Sequence, residues 1–240
     1  GVKAMKDVLD IHTHTLVSGH AYNSIMEMAH AASEKGLELL GITEHAPEMP
    51  GGPHRFYFDN LKVMPREIDG MPVLFGTEIN ICDYEGKLDL TEKTLKNLDV
   101  VIASLHIPCV KPGTREENTR AIAAALKNPY VNIIGHPDDG RYPVDMEQIV
   151  YTAKEEHKLL ELNNHSLDPS GSRCDAREND IQMLEYCKEY QQPIIMGSDA
   201  HCIWDIRNHE LAVELIKETN FPEELVVNRS VEEFLQYIRK

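Results

Sequence analysis

The sequence predicts an α/β fold, a closed barrel of seven βα units. Three observations lead to it. Seven near-continuous apolar stretches recur along the chain, helical segments separate them, and each stretch ends in polar residues able to bind a metal or a substrate. Apolar runs of this kind belong to parallel strands covered on both faces. In α/β barrels the reactive groups collect at the carboxyl ends of the strands, where the connecting loops meet. An open doubly wound sheet would spread seven strand ends along a line, so one closed ring explains their common chemistry better.

The first stretch is VLDIHTHT, residues 8–15, in which His12 and His14 are spaced by one residue. Strand side chains alternate faces, so both imidazoles are expected to point the same way. A loop carrying His20 follows, then a helix from about Ser24, whose spacing to Glu27 is a capping box. Ile25, Met28, Ala29 and Ala32 make its apolar stripe, and Gly36 closes it. LELLGITEHA is the second strand, ending at His45, and a Pro/Gly-rich loop leads to a short helix expected near Asn60–Ile68. MPVLFGTEINI carries Glu78 near its end, DYEG reads as a turn, and LDVVIASLHI ends at His106. A helix over 114–127 precedes VNIIGHP with His136, and a helix over 145–156 precedes LLELNNHS. A helix over 175–190 precedes PIIMGSDAH, which ends in Asp199 and His201. Two terminal helices complete the pattern. Ser230 and Glu233 form a capping box for the last, and Val231, Phe234, Leu235 and Ile238 make its stripe.

The 240 residues show no linker, low-complexity tract or charge block, so residues 1–240 are read as one domain. No apolar run approaches the roughly 20 residues that cross a bilayer, and GVKAMKD lacks the apolar core of a signal peptide. Gly1 in place of an initiating Met is read as a scar of expression. Five scattered cysteines form no C-x-x-C pair, which fits reduced thiols in a cytoplasm rather than a disulfide framework or zinc ribbon. A formal charge of −16 argues against nucleic acid or an anionic membrane as partner. It does not exclude an anionic substrate, because bound divalent cations reverse the local field of a cleft.

Twelve histidines are unusual for this length, and their placement matters more than their number. His12, His14, His45, Glu78, His106, His136, Asp199 and His201 fall at strand ends, with His20 in the first loop. A single His or Glu at a strand end is more often a satisfied polar residue than a ligand. Nine together at equivalent places would be expensive to bury without partners, and imidazole with carboxylate is the donor set of zinc, manganese or iron.

In this order, HTHT, ITEHA, GTEI, SLH, GHP and GSDAH resemble the motifs of the PHP (polymerase and histidinol phosphatase) family. HAYN, the PHRFYF loop, MPRE, ELNN and the FPEELVVNRS tail make the chain similar to the YcdX-type bacterial zinc phosphatases within it. The resemblance covers nearly the whole chain. It implies a distorted (βα)7 barrel with a trinuclear centre: three divalent ions, zinc favoured, with manganese or iron as alternatives. It further implies that His12, His14, Glu78 and Asp199 hold one metal. Glu78 bridges to a second held by His106 and His136, and His20, His45 and His201 hold the third. Two departures stand out: Glu44 occupies a position where Asp is usual, and SRCDARE from about residue 172 fits the pattern less well.

Clustered divalent cations act as Lewis acids and generate a nucleophile from water near neutral pH. The expected activity is therefore hydrolysis of a small phosphate ester, with Glu78 and Asp199 as catalytic residues and Asp199 orienting the attacking water. No P-loop or Ser/Cys nucleophile motif supports another route. Arg141, Arg173, His54 and His165 are candidates for gripping substrate, whereas His30, His157 and His209 read as structural or solvated. The alternatives are a histidinol phosphatase or amidohydrolase on the same scaffold, a non-catalytic PHP module serving a partner such as a polymerase, and metal buffering. Dispersed ligands argue against buffering, which uses clustered tracts. The chain is expected in the cytoplasm, and a homo-oligomer is compatible with the sequence.

Overall fold

A computed structural model describes residues 4–238. Seven parallel strands follow one another around the molecule: β1 (Leu9–Asp10), β2 (Leu39–His45), β4 (Met71–Asn80), β5 (Val101–Ser104), β6 (Ile133–Ile134), β7 (Leu159–Asn163) and β8 (Ile194–Gly197). The remaining strand, β3 (Glu67–Ile68), pairs antiparallel with the start of β4. Helices cover the connections: α1 (Ile25–Glu34), α2 (Arg55–Asn60), α3 (Glu92–Leu95), α4 (Arg115–Lys127), α5 (Met146–Glu155), α6 (Ala176–Tyr190), α7 (Glu210–Glu218) and α8 (Val231–Leu235). The result is the nearly closed (βα)7 barrel that the sequence predicts.

Local chemistry explains where the elements start. Ser24 with Glu27 and Thr114 with Glu117 both form reciprocal capping boxes, each of which satisfies two backbone N–H groups at the starts of α1 and α4. Ser230 accepts from Glu233 N at the start of α8. The helix expected near Asn60–Ile68 is displaced. It spans Arg55–Asn60, tightens into a 3₁₀ turn at Leu61–Val63, and gives way to β3. Asp69 and Gly70, both with positive φ (50° and 82°), make the tight Asp-Gly turn that returns the chain into β4. That turn chemistry overrides the helical spacing.

Two apolar layers hold the barrel. Inside it, Leu9, Ile102, Ile133, Leu159 and Ile195 pack with Val227 and Phe234, so that α8 plugs the end away from the site. Burying a side chain such as Phe234 contributes roughly 1.5–3 kcal/mol. A larger layer lies between the outer strand faces and helices, including Met28, Phe75, Ile122, Ile149 and Leu184.

Closure between β1 and β8 has two parts. Toward the site, Thr13 bridges Ala200, and His14 N donates to Ala200 O at 2.8 Å. Lower down, Asn228 stands between the strands: its amide donates to Leu9 O (3.2 Å) and Met196 O (2.9 Å), and its Oδ1 accepts from Met196 N (2.7 Å). Among the described residues, no helix is long and apolar enough to cross a membrane.

Candidate metal centre

The strands place most candidate ligands by register alone. His45, the last residue of β2, lies opposite Glu78 within β4. His106 and His136 follow the ends of β5 and β6 by two residues, and Asp199 follows β8 by two. β1 ends at Asp10, so His12 and His14 sit on the irregular segment beyond it, yet they converge as period-two spacing suggests. Their Nε2 atoms lie 3.1 and 3.3 Å from Glu78 Oε2, and 3.4 and 3.3 Å from Asp199 Oδ1.

Glu78 is the hub. Its Oε2 faces His12, His14 and, at 3.1 Å, His45 Nδ1. Its Oε1 faces His106 Nε2 at 3.1 Å and His136 Nε2 at 2.9 Å. Three overlapping groups are close enough to hold a cation: His12, His14, Glu78 and Asp199; His45, Glu78 and His106; His14, His45 and His201. His136 and the exposed His20 fall outside these groups, but His136 Nε2 lies against Glu78 Oε1, and the His20 ring lies 4.8 Å from that of His45 and 5.0 Å from that of His201. All nine residues named from the sequence therefore gather around one cleft mouth.

The donor chemistry fits divalent cations. His12 Nε2, His14 Nε2, His45 Nδ1 and Glu78 Oε2 are buried and lack a hydrogen-bond partner, an arrangement that costs roughly 1–3 kcal/mol per group unless a cation satisfies it. The opposite ring nitrogens are anchored. His12 Nδ1 meets Glu161 Oε1 at 2.6 Å, His106 Nδ1 meets Asn80 Oδ1 at 2.7 Å, and His201 Nδ1 meets Asp199 O at 2.8 Å. Such partners fix the tautomer that offers the other nitrogen to a metal.

Electrostatics sorts the site into two kinds of group. Burial alone would lower the His12 and His14 pKa values, but adjacent carboxylates win: Glu161, Glu78 and Asp199 raise His12 well above its ordinary value, and Asp199 with Glu78 raises His14 to about 9. Burial would raise Glu78 and Asp199, yet the facing imidazoles hold both well below the usual carboxylate range. Burial and neighbouring His14 push His45 well down and His201 to about 4, leaving them neutral lone-pair donors at pH 7. Two of the site residues, His136 and Asp199, also hold left-handed backbone, with φ of 27° and 56°. Such backbone is costly for a non-glycine residue and fixes where these two side chains aim.

Two contributors escape the sequence reading, Glu161 and Asn80. Glu161 in β7 is buried, binds His12, and accepts from His136 N (2.8 Å) and Asn163 Nδ2 (3.1 Å). Gly197 leaves it room, because a Cβ there would overlap its carboxylate. The available signal was a carboxylate inside an apolar strand, LLELN, just as Glu78 sits inside VLFGTEIN.

Beyond the ligands opens a cleft of about 520 Å³. Arg141, His165 and Arg173 are among the residues that line it, with Leu105, Ile107 and Pro108 among its apolar contributors. Arg173 is tied to Asp199 Oδ2 (3.1 Å), Asn163 Oδ1 (3.2 Å) and Ser166 Oγ (2.9 Å). Arg141 is gripped by both oxygens of Asp139 through Nε at 3.0 Å. His54 instead caps α2 by accepting from Phe56 N, outside the lining of the cleft. His30 is exposed and pairs with Glu34, and His157 stacks on Tyr237 with ring centroids 4.4 Å apart.

Barrel and cluster together define a metal-dependent hydrolase. The chain belongs to the PHP domain family, whose model matches residues 10–168. It is 48% identical over 235 residues to a probable phosphatase of Clostridium novyi (strain NT), covering 98% of this chain and 96% of that protein. It is 49% identical over 231 residues to a probable phosphatase of Caldicellulosiruptor saccharolyticus, covering 96% and 95%. In fold it is similar to the histidinol phosphate phosphatase of Lactococcus lactis subsp. lactis Il1403, crystallised with zinc, L-histidinol and phosphate. That match has a TM-score of 0.61 and 20% identity, over 91% of this chain and 95% of the other.

Proposed function

We propose that the protein hydrolyses a small phosphate monoester through a trinuclear centre, with zinc favoured and manganese or iron as alternatives. The observation that carries this reading is Glu78, whose two oxygens face two different sets of imidazoles. A carboxylate offers two coordinating oxygens, and a neutral imidazole offers one lone pair. His12, His14, Glu78 and Asp199 would hold one ion, and Glu78 with His106 and His136 a second. His20, His45 and His201 would hold the third. When bound, such ions supply Lewis acidity and a nucleophile from water.

The chain's own groups do the positioning. Asp199 directs Oδ1 toward His12 and His14 while Arg173 restrains Oδ2, which leaves it fixed to orient an attacking water. Arg173 and Arg141 bring positive charge to an otherwise acidic protein at the cleft, where phosphate oxygens would lie. His165 lines the same cleft. Residues 1–240 act as one unit in this reading. Five free thiols favour the reducing cytoplasm, and self-association is compatible with it.

A metabolite panel including histidinol phosphate, assayed alongside elemental analysis, tests the activity. Glu78→Gln keeps the size but removes the charge that holds two dications close, and is expected to cut turnover by about 10²-fold or more. His30→Gln, far from the cluster on an exposed face of α1, should leave turnover unchanged. Near-normal turnover of Glu78→Gln would refute the bridged centre. No hydrolysis of any phosphate ester by metal-replete wild type would favour an amidohydrolase or an accessory role.

A further inference from the structure

His14 differs from its neighbours in how it is anchored. His12, His106 and His201 each rest on a carboxylate or carbonyl oxygen, a group that can only accept when ionised or amide-bound. His14 Nδ1 rests on the Ser18 hydroxyl at 3.1 Å, and a hydroxyl can donate or accept. By itself Ser18 would leave the tautomer of His14 open.

Glu44 removes that ambiguity. Its buried carboxylate points toward the turn after β1, away from Glu78's cluster of ligand atoms, and accepts from Thr15 N (3.1 Å to Oε2), from the Thr15 hydroxyl, and from Ser18 Oγ at 2.5 Å. Ser18 also receives His45 N–H at 3.0 Å. The hydroxyl has one proton and two lone pairs. A carboxylate can take only the proton, and a backbone N–H only a lone pair. The remaining lone pair faces His14 Nδ1, which must then be the donor.

We infer that Glu44, acting through Ser18, is a positioning residue that holds His14 in its Nδ1–H form and anchors the backbone of His45. Both imidazoles thereby present their free nitrogens, His14 Nε2 and His45 Nδ1, to Glu78 Oε2. One hydroxyl thus sets ligands from two successive βα units. The inference rests on the metal-centre reading above.

The test loads the full chain, carrying isotope-labelled histidine, with zinc alone. Long-range proton–nitrogen correlation should show His14, assigned by loss of its signals in His14→Gln, with a slowly exchanging proton on Nδ1 and a metal-shifted Nε2. Ser18→Ala and Glu44→Gln should each weaken zinc retention against a chelator by about 10–100-fold, the usual effect of losing a ligand's outer partner. Both should also speed exchange of the Nδ1 proton. A zinc-loaded wild type with an unprotonated His14 Nδ1 overturns the inference, and so do folded variants that retain zinc as the wild type does. A wild-type spectrum with the wrong tautomer overturns the inference even if a variant fails to fold. A wild type that takes up no zinc sinks the metal-centre reading itself, a different outcome from zinc bound with the wrong tautomer.

Discussion

His209 shows what a single buried charge does outside the cleft. Sequence reasoning leaves it structural or solvated. In the fold it is buried at the start of α7, with Nδ1 2.8 Å from Asp7 Oδ2 and Nε2 3.5 Å from Asp10 Oδ1. Burial alone would lower its pKa, but the two carboxylates raise it to about 10 from an ordinary 6.5. The native state therefore holds a proton that the unfolded chain releases, so the interaction stabilises fully below pH 6.5 and is lost as pH rises through about 10. Asp10, held below its usual value against the pull of burial, works in the opposite sense and loses its contribution only in acid. Melting temperature should fall between pH 6.5 and 10, and His209→Gln should flatten that part of the curve. An identical slope in wild type and variant would contradict this assignment. Asp7 and His209 lie 202 positions apart, so nothing in local spacing announces the pair; it exists only once the barrel closes. Eight of the nine ligand candidates, in contrast, are legible because they fall at or near the end of an apolar run, whereas His20 lies in the loop after the first. Glu161 was visible as an oddity in LLELN, but its role depends on which ring faces it from β1, a question of closure rather than pattern.

At the scale of elements, alternation of apolar runs and capped helices was readable, while short or non-local pairings were not. β1 and β6 are two residues each, because the chain turns to present ligands soon after entering the sheet. The β3–β4 hairpin was missed because a helical spacing hid an Asp-Gly turn. The tail FPEELVVNRS carries a role that composition does not disclose: Asn228 supplies side-chain hydrogen bonds where β1 and β8 do not pair along their length. Asn228→Ala would leave Met196 N and two carbonyls without these partners in a buried place. Each unsatisfied group costs roughly 1–3 kcal/mol, so chemical denaturation should show a loss of at least that size. A variant as stable as the wild type would show that β1 and β8 close without it.

At the scale of the whole molecule, the candidate metal centre and the apolar interior occupy separate parts of the barrel. The candidate ligands occupy one end of the barrel, while the apolar layer plugged by Phe234 closes the other and the helices bury their stripes against the outside. Neither apolar layer needs a cation to form. The mouth is where a cation would act, because Glu78, Asp199, Glu161 and seven imidazoles gather there within a chain of net charge −16. An ion that binds only the folded state adds stability by mass action, about 2.7 kcal/mol when free ligand is at about a hundred times Kd. For a domain of this size each kcal/mol moves the melting temperature by about 2–4 °C, so thorough chelation should lower it by about 5–10 °C. Far-ultraviolet circular dichroism should stay native-like below that lower transition, because both apolar layers persist. Elemental analysis of replete protein should return about three divalent ions per chain, the number the nine donors divide into with Glu78 shared. At most one ion per chain would rule out the trinuclear arrangement. A melt unmoved by verified metal removal would mean that the charges at the mouth are balanced by protons on His12 and His14 instead.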